Sequence, residues 1–151
     1  SRSTTGGAFG SWTFLGCSGT GTTNGIACSS ATTTAVNFYC PTALGPGSPN
    51  NTVYIGTDRL LRSSTQGTAN VTVSQAPLVS GVAVSAIGIA PQDDNYRFVG
   101  NNNGALWFTT TGSSPLTNLD PVGAGSVIPD LFVSRVACDP SVTNPASVVP
   151  G

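Results

Sequence analysis

Two adjacent carboxylates, Asp93 and Asp94, follow Pro91 between two β-branched runs. A close carboxylate pair can hold calcium or divide acid and base work. Neighbouring side chains usually diverge, and Asp-Asp-Asn is ordinary turn sequence, so the turn reading leads. Asp58 reads in the same way, as a hairpin-turn residue. The cations are five arginines, Arg2, Arg59, Arg62, Arg97 and Arg135, and the chain has no Lys, Glu, His or Met. Without histidine, a Ser-His-Asp or Cys-His mechanism is excluded within these residues. No Gly-rich stretch leads from a strand into a helix, so a phosphate-cradling loop has no support. Zinc is disfavoured by the lack of His and of any C-x-x-C pair. The expectation is no catalytic residue, no cofactor and no metal ligand set.

The remaining chemistry lies in thiols, amides and aromatic rings. Cys17 and Cys28 flank a Gly/Thr/Asn loop that no apolar run would order. A disulfide closing it would stabilise the chain by roughly 2–4 kcal/mol. The alternative is buried free thiols. The pairing of Cys40 and Cys138 is left open by the sequence. Two sequons, Asn50-Asn51-Thr52 and Asn70-Val71-Thr72, make Asn50 and Asn70 glycosylation candidates. Trp12, Trp107, Tyr39, Tyr54, Tyr96 and Phe98 have rings that can stack on carbohydrate. Most stand in runs of alternating polarity, where a core role is favoured.

Composition narrows the partners. Of 151 residues, 38% are hydrophobic, enough for a core, whereas only 7% are charged, against about 25% in ordinary soluble domains. A formal net charge of −1 argues against nucleic acid, whose phosphates require clustered cations. It also removes a polybasic membrane patch, and no run approaches the ~18 apolar residues of a membrane span. Solubility must come from Ser, Thr, Asn and Gly. Such a surface fits an extracellular or cell-surface setting, a sugar coat, or close packing against identical neighbours. Low-complexity disorder is disfavoured because the β-branched runs recur with a period.

The elements that would position these groups are short strands between turn clusters. Residues 84–119 hold three β-branched or aromatic runs and a weaker fourth, the sequence form of an antiparallel meander. No window shows a helical period, and Pro and Gly recur too often for long helices. Strands are expected at Ala35–Cys40, Thr52–Gly56, Arg59–Ser63, Asn70–Ser74, Val84–Ala90, Arg97–Gly100, Ala105–Thr109, Leu131–Cys138 and Ala146–Val149. Aligning Pro41, Pro91 and Pro140 gives intervals of 50 and 49 residues. A repeat of ~40–50 residues built from about four strands predicts an all-β fold of propeller blades. The expected division is a partial blade at 1–16, blades at 35–75 and 84–119, and a partial blade at 131–150. An irregular sandwich is the alternative.

The corners after the third strands read Ser3-Thr4-Thr5-Gly6-Gly7 with Trp12 beyond, Ser63-Ser64-Thr65-Gln66-Gly67-Thr68, and Thr109-Thr110-Thr111-Gly112-Ser113. In these the chain resembles the BNR, or Asp-box, family of β-propellers, whose corner reads Ser-x-Asp-x-Gly-x-Thr-Trp. That family includes sialidases, sortilin-type receptors and xyloglucan-cleaving enzymes. Here Thr5, Thr65 and Thr111 stand in the aspartate place, and a hydroxyl caps a turn more weakly than a carboxylate. The family's box is structural, so these threonines are expected to shape turns. A sialidase-like nucleophile pair would need a Glu that this chain lacks. The resemblance therefore implies a non-catalytic propeller segment serving as scaffold, adhesion or surface-assembly module. Its partners would be further blades, from a longer chain or from identical copies, with carbohydrate as the candidate small ligand. The alternatives are a fragment of an Asp-box glycoside hydrolase whose catalytic residues lie elsewhere, and a self-assembling filament or coat subunit.

Overall fold

A computed structural model describes residues 2–13, 35–46, 52–65, 70–112 and 114–140. The described residues form an all-β fold without helix. A hairpin of β1 (Arg2–Ser3) and β2 (Trp12–Thr13) precedes two four-stranded sheets. The first sheet takes β3 (Thr42–Leu44), β4 (Val53–Gly56), β5 (Leu60–Ser63) and β6 (Val71–Thr72) in chain order. The second takes β7 (Val84–Ile89), β8 (Arg97–Asn101), β9 (Leu106–Thr109) and β10 (Thr117–Asp120), likewise in order. Every pairing is antiparallel, as connections of three to eight residues require.

Period-two burial explains why these runs become strands. In β7, Val84, Ala86 and Gly88 are buried and their neighbours half-buried. β4 alternates the same way, with Tyr54 and Gly56 inward. The core gathers Tyr54, Leu60, Leu78, Val84, Val99 and Leu116, with Ala43, Val73, Ile87, Ile89 and Trp107 packed around them. Burying one such side chain contributes roughly 1.5–3 kcal/mol. Both sheets feed this one core, because β7 lies against β3 and β4. The Gln75 side chain ties them further. Its Oε1 accepts from the Leu116 N–H at 2.9 Å and its amide donates to the Leu116 carbonyl at 3.4 Å.

The two sheets share one pairing register, strand for strand. Ile55 pairs with Thr42 and Leu61, as Val99 pairs with Ile87 and Trp107. This corrects the proline alignment. The N–H of Gly45 donates to the Thr52 carbonyl at 3.0 Å, as that of Ala90 donates to Tyr96 at 3.0 Å. The counterpart of Pro91 is therefore Pro46, and Pro41 stands at the other end of its strand. The strand expected at Ala35–Cys40 is absent. The ladder begins after Pro41, whose carbonyl accepts from Gly56 at 3.0 Å and whose missing N–H suits a strand start.

One packing step of a following segment onto the sheet before it recurs along the chain. The Val84 N–H donates to the Thr57 carbonyl at 2.7 Å, and Val84 occupies the space a Cβ on Gly56 would need. One unit later the Val133 N–H donates to the Asn101 carbonyl at 3.3 Å, and Val133 fills the space over Gly100. Residues 131–138 thus lie on the second sheet as β7 lies on the first. They join no ladder among the described residues, so the strand expected at Leu131–Cys138 is an extended segment instead. Its Val133 carbonyl is taken by the Ser85 hydroxyl at 2.7 Å, and Pro140 by the Gln92 amide at 2.7 Å. The strand expected at Ala146–Val149 falls outside the described residues.

Register also pairs Asn70 with Leu116, each one residue before the fourth strand and opposite a corner hydroxyl. Leu116 is core, whereas both amide atoms of Asn70 are enclosed without a hydrogen-bonding partner. An orphaned buried polar group costs about 1–3 kcal/mol. Asn70→Leu is therefore expected to raise stability by about 1 kcal/mol, read as a higher urea midpoint at unchanged slope.

Candidate functional site

Two polar clusters sit at opposite ends of β8. The first is built on the β4–β5 hairpin, whose register sets Tyr54 beside Arg62. The turn between them is held by Asp58, buried, which takes the Arg59 guanidinium on both oxygens at 2.7 and 2.8 Å. Across the inter-sheet gap, the Tyr54 hydroxyl donates to Asp94 Oδ2 at 2.7 Å. Arg62 donates to the same oxygen from Nε at 3.0 Å and Nη2 at 2.8 Å, and to the Tyr54 oxygen at 3.0 Å. The Arg97 guanidinium stacks 5.1 Å from the Tyr54 ring centre and donates to the Asp94 and Gly112 carbonyls. Burial would raise the Asp94 pKa. The bonds from Tyr54 and Arg62, with the charges of Arg62 and Arg97, outweigh it and hold the carboxyl below its ordinary value. The Tyr54 phenol is pushed up to about 12, first by burial and then by its bond to Asp94.

This arrangement is a pin. Tyr54 is fully buried and protonated at neutral pH, so it offers no nucleophile. Asp93 and Asp94 do not act together. Asp93 Oδ1 accepts from the Asn95 N–H at 2.9 Å, a local turn contact, whereas Asp94 belongs to the pin. Among the described residues no group of three or more His, Cys, Asp or Glu could hold a metal ion. No helix among them is long and apolar enough to cross a membrane.

The second cluster is made of amides. Asn101, fully buried, accepts from the Trp107 indole at 2.9 Å and donates to the Ala83 carbonyl at 3.3 Å. Asn102 and Asn37 exchange two bonds, at 2.8 and 3.0 Å, and Asn37 also donates to the Val84 carbonyl at 2.8 Å. Gly104 lets the chain turn here, with φ at +96°.

The three corners share one geometry. The N–H of Thr5 donates to the Ser3 hydroxyl, that of Thr65 to Ser63, and that of Thr111 to Thr109, each at 3.3 Å. The capping oxygen therefore comes from two residues before each threonine, as in an ST turn. Cys40 and Cys138 are free, half-buried thiols. Burial pushes both up, partly offset at Cys40 by its contact with the Gly56 carbonyl, so neither is a thiolate at neutral pH. Cys17, Cys28 and Asn50 lie outside the described residues. Carrying a glycan at Asn70 would require edge strand β6 to open, since its amide is enclosed. Of the aromatic residues, Tyr54 is core, Trp107 packs against it, and Phe98 stacks on Phe108 at 6.4 Å. Trp12 and Tyr39 are exposed.

Neither the Tyr54–Arg62–Asp94 pin nor the amide cluster was singled out in the sequence. The hairpin turn at Asp58 carried a signal for Tyr54 facing Arg62. No protein-family model matches the chain, and no curated protein or solved structure does.

Proposed function

We propose that this chain is a segment of an Asp-box-like β-propeller, and that it serves outside the cell as a non-catalytic scaffold, adhesion or surface-assembly module. The observation that carries the reading is the repeated step. Gly56 receives Val84, and Gly100 receives Val133, each with an N–H to a carbonyl one residue after the glycine. Successive four-stranded meanders stacked by one repeated contact are what a blade array requires. The three similar corners support it, two closing the turn after the third strand of a sheet and one lying in the β1–β2 hairpin. The low charge and the polar, Thr-rich composition favour the extracellular setting. In this reading the partners are further blades, in the same chain or in identical copies.

The non-catalytic role rests on Tyr54, Asp94, Arg62 and Arg97 being engaged with one another in the seam between the sheets. It is tested by assaying the purified chain against a panel of chromogenic glycosides. The expected result is no release above buffer. Turnover that disappears in Asp94→Ala while the fold persists would overturn the reading and favour the glycosidase alternative.

A further inference from the structure

At the end of β8 away from Asp94, residues 35–37, 81–83 and 102–103 surround a cleft of about 510 Å³. Its lining includes Asn37, Asn102 and Asn103 with Val36, Val82 and Ala83, and among the described residues it carries no charged side chain. A carboxylate, phosphate or ammonium ligand would find no counter-ion there. The amides would in turn penalise a wholly apolar one, because buried polar groups need partners.

The hydrogen-bonding capacity left over defines the ligand further. An asparagine amide offers two N–H donors and two lone pairs. Asn37 uses both N–H groups, on Val84 and on Asn102, and keeps one lone pair. Asn102 gives one N–H to Asn37 and accepts one bond, keeping one N–H and one lone pair. The Asn37–Asn102 exchange fixes these free positions in place, and the Asn102 N–H to the Ala83 carbonyl at 3.0 Å anchors the turn. The result is a neutral, pre-oriented donor and acceptor side by side, next to an apolar wall. Phe38 and Tyr39 follow Asn37 directly, almost wholly exposed and edge-to-face at 5.0 Å. Exposed rings of this kind stack on the C–H face of a sugar.

We infer that this cleft binds a neutral pyranose unit of a polysaccharide, with two neighbouring hydroxyls on the free N–H of Asn102 and the free lone pair of Asn37, which share one edge of the exchanged pair. The site goes beyond the scaffold reading and does not depend on it, since the cleft stands whether or not the sheets are blades.

The test is a titration of the 15N-labelled chain with cellobiose, mannobiose and N-acetylglucosamine, each to roughly 50 mM, with glycerol as the control for bare hydroxyls. The range covers the millimolar affinities of single sugar units. The expected result is saturable movement of the Asn37 and Asn102 side-chain amide signals with at least one sugar and not with glycerol. Asn102→Ala is expected to weaken it about tenfold, the loss of paired hydrogen bonds. Phe38→Ala, which removes an almost wholly exposed ring and leaves the Asn37–Asn102 exchange intact, guards against a folding defect and is expected to weaken binding without shifting β7 or β8 signals. Unmoved amide signals with all three sugars, or equal movement with glycerol, would overturn the proposal.

Discussion

Gly56→Ala will destabilise the chain by about 1–3 kcal/mol, the range for overpacking a filled core. A Cβ built on Gly56 lies 2.8 Å from Val84 Cβ, 2.5 Å from Val84 Cγ1 and 2.9 Å from Pro41 Cγ, closer than packed carbons come. An alanine in an exposed strand is normally favoured over glycine by roughly 0.5–1 kcal/mol, so a loss here reports the contact with Val84. Val84→Ala will also destabilise, because Val84 is fully buried in the core. The double variant will lose less than the two singles together, with coupling of about 0.5–3 kcal/mol. Urea denaturation of all four proteins measures it. The same cycle at Gly100 and Val133, where the two Cβ positions fall 2.6 Å apart, will couple with the same sign. Additive losses at either pair would remove the recurring step.

Asp94→Ala has the second large effect, about 1–3 kcal/mol. It leaves the Tyr54 hydroxyl and the Arg62 guanidinium without their shared acceptor. Hydrogen bonds to charged groups are worth roughly 1.5–3 kcal/mol each. The Arg62 and Asp94 side chains keep 28% and 18% of their exposure, so solvent screening trims the sum. The pH dependence follows from the direction of the shifts. The folded Asp94 pKa lies below the unfolded value, so its contribution is complete above about pH 4 and fades as pH falls through the folded value. Tyr54 acts in the opposite sense. Its folded pKa is raised to about 12, so the folded state holds the phenolic proton more tightly. That stability is complete below about pH 10 and fades as pH rises toward the folded value. Asp94→Asn will shrink the acid limb, to which Asp120 also contributes, and Tyr54→Phe will remove the alkaline limb. Chemical denaturation across the pH range checks both, and an unchanged acid limb in Asp94→Asn would place Asp94 outside the pin.

Strand placement was legible wherever apolar residues alternate and a turn cluster follows. Val84–Ile89, Arg97–Asn101 and Leu106–Thr109 fall within a residue or so of their expected positions for that reason. The first strand of the first sheet was not. Val36, Phe38 and Tyr39 look like a strand in sequence, yet they are exposed, and the Asn37 amide fastens this segment to the Val84 carbonyl instead. The proline alignment failed because Pro41 and Pro46 bracket one strand, and sequence does not say which of them answers to Pro91. At each corner the oxygen that accepts the threonine N–H lies two residues before it, a spacing that the aspartate place of the motif does not show. Asp94 reads as part of a turn because its partners, Tyr54 and Arg62, are more than thirty positions away in the chain. No local pattern encodes such a contact. The amide cleft was hidden for a similar reason, since Asn37 and Asn102 meet across 65 residues.

The central claim is that one packing step, of a following segment onto the sheet before it, is used twice. It is tested most directly by methyl-resolved NOE spectroscopy of the folded chain. The account predicts strong cross-peaks from the Gly56 α-protons to the Val84 methyls, and from the Gly100 α-protons to the Val133 methyls. A spectrum in which the Val133 methyls contact neither Gly100 nor Ser85, while Val84 still contacts Gly56, would contradict it.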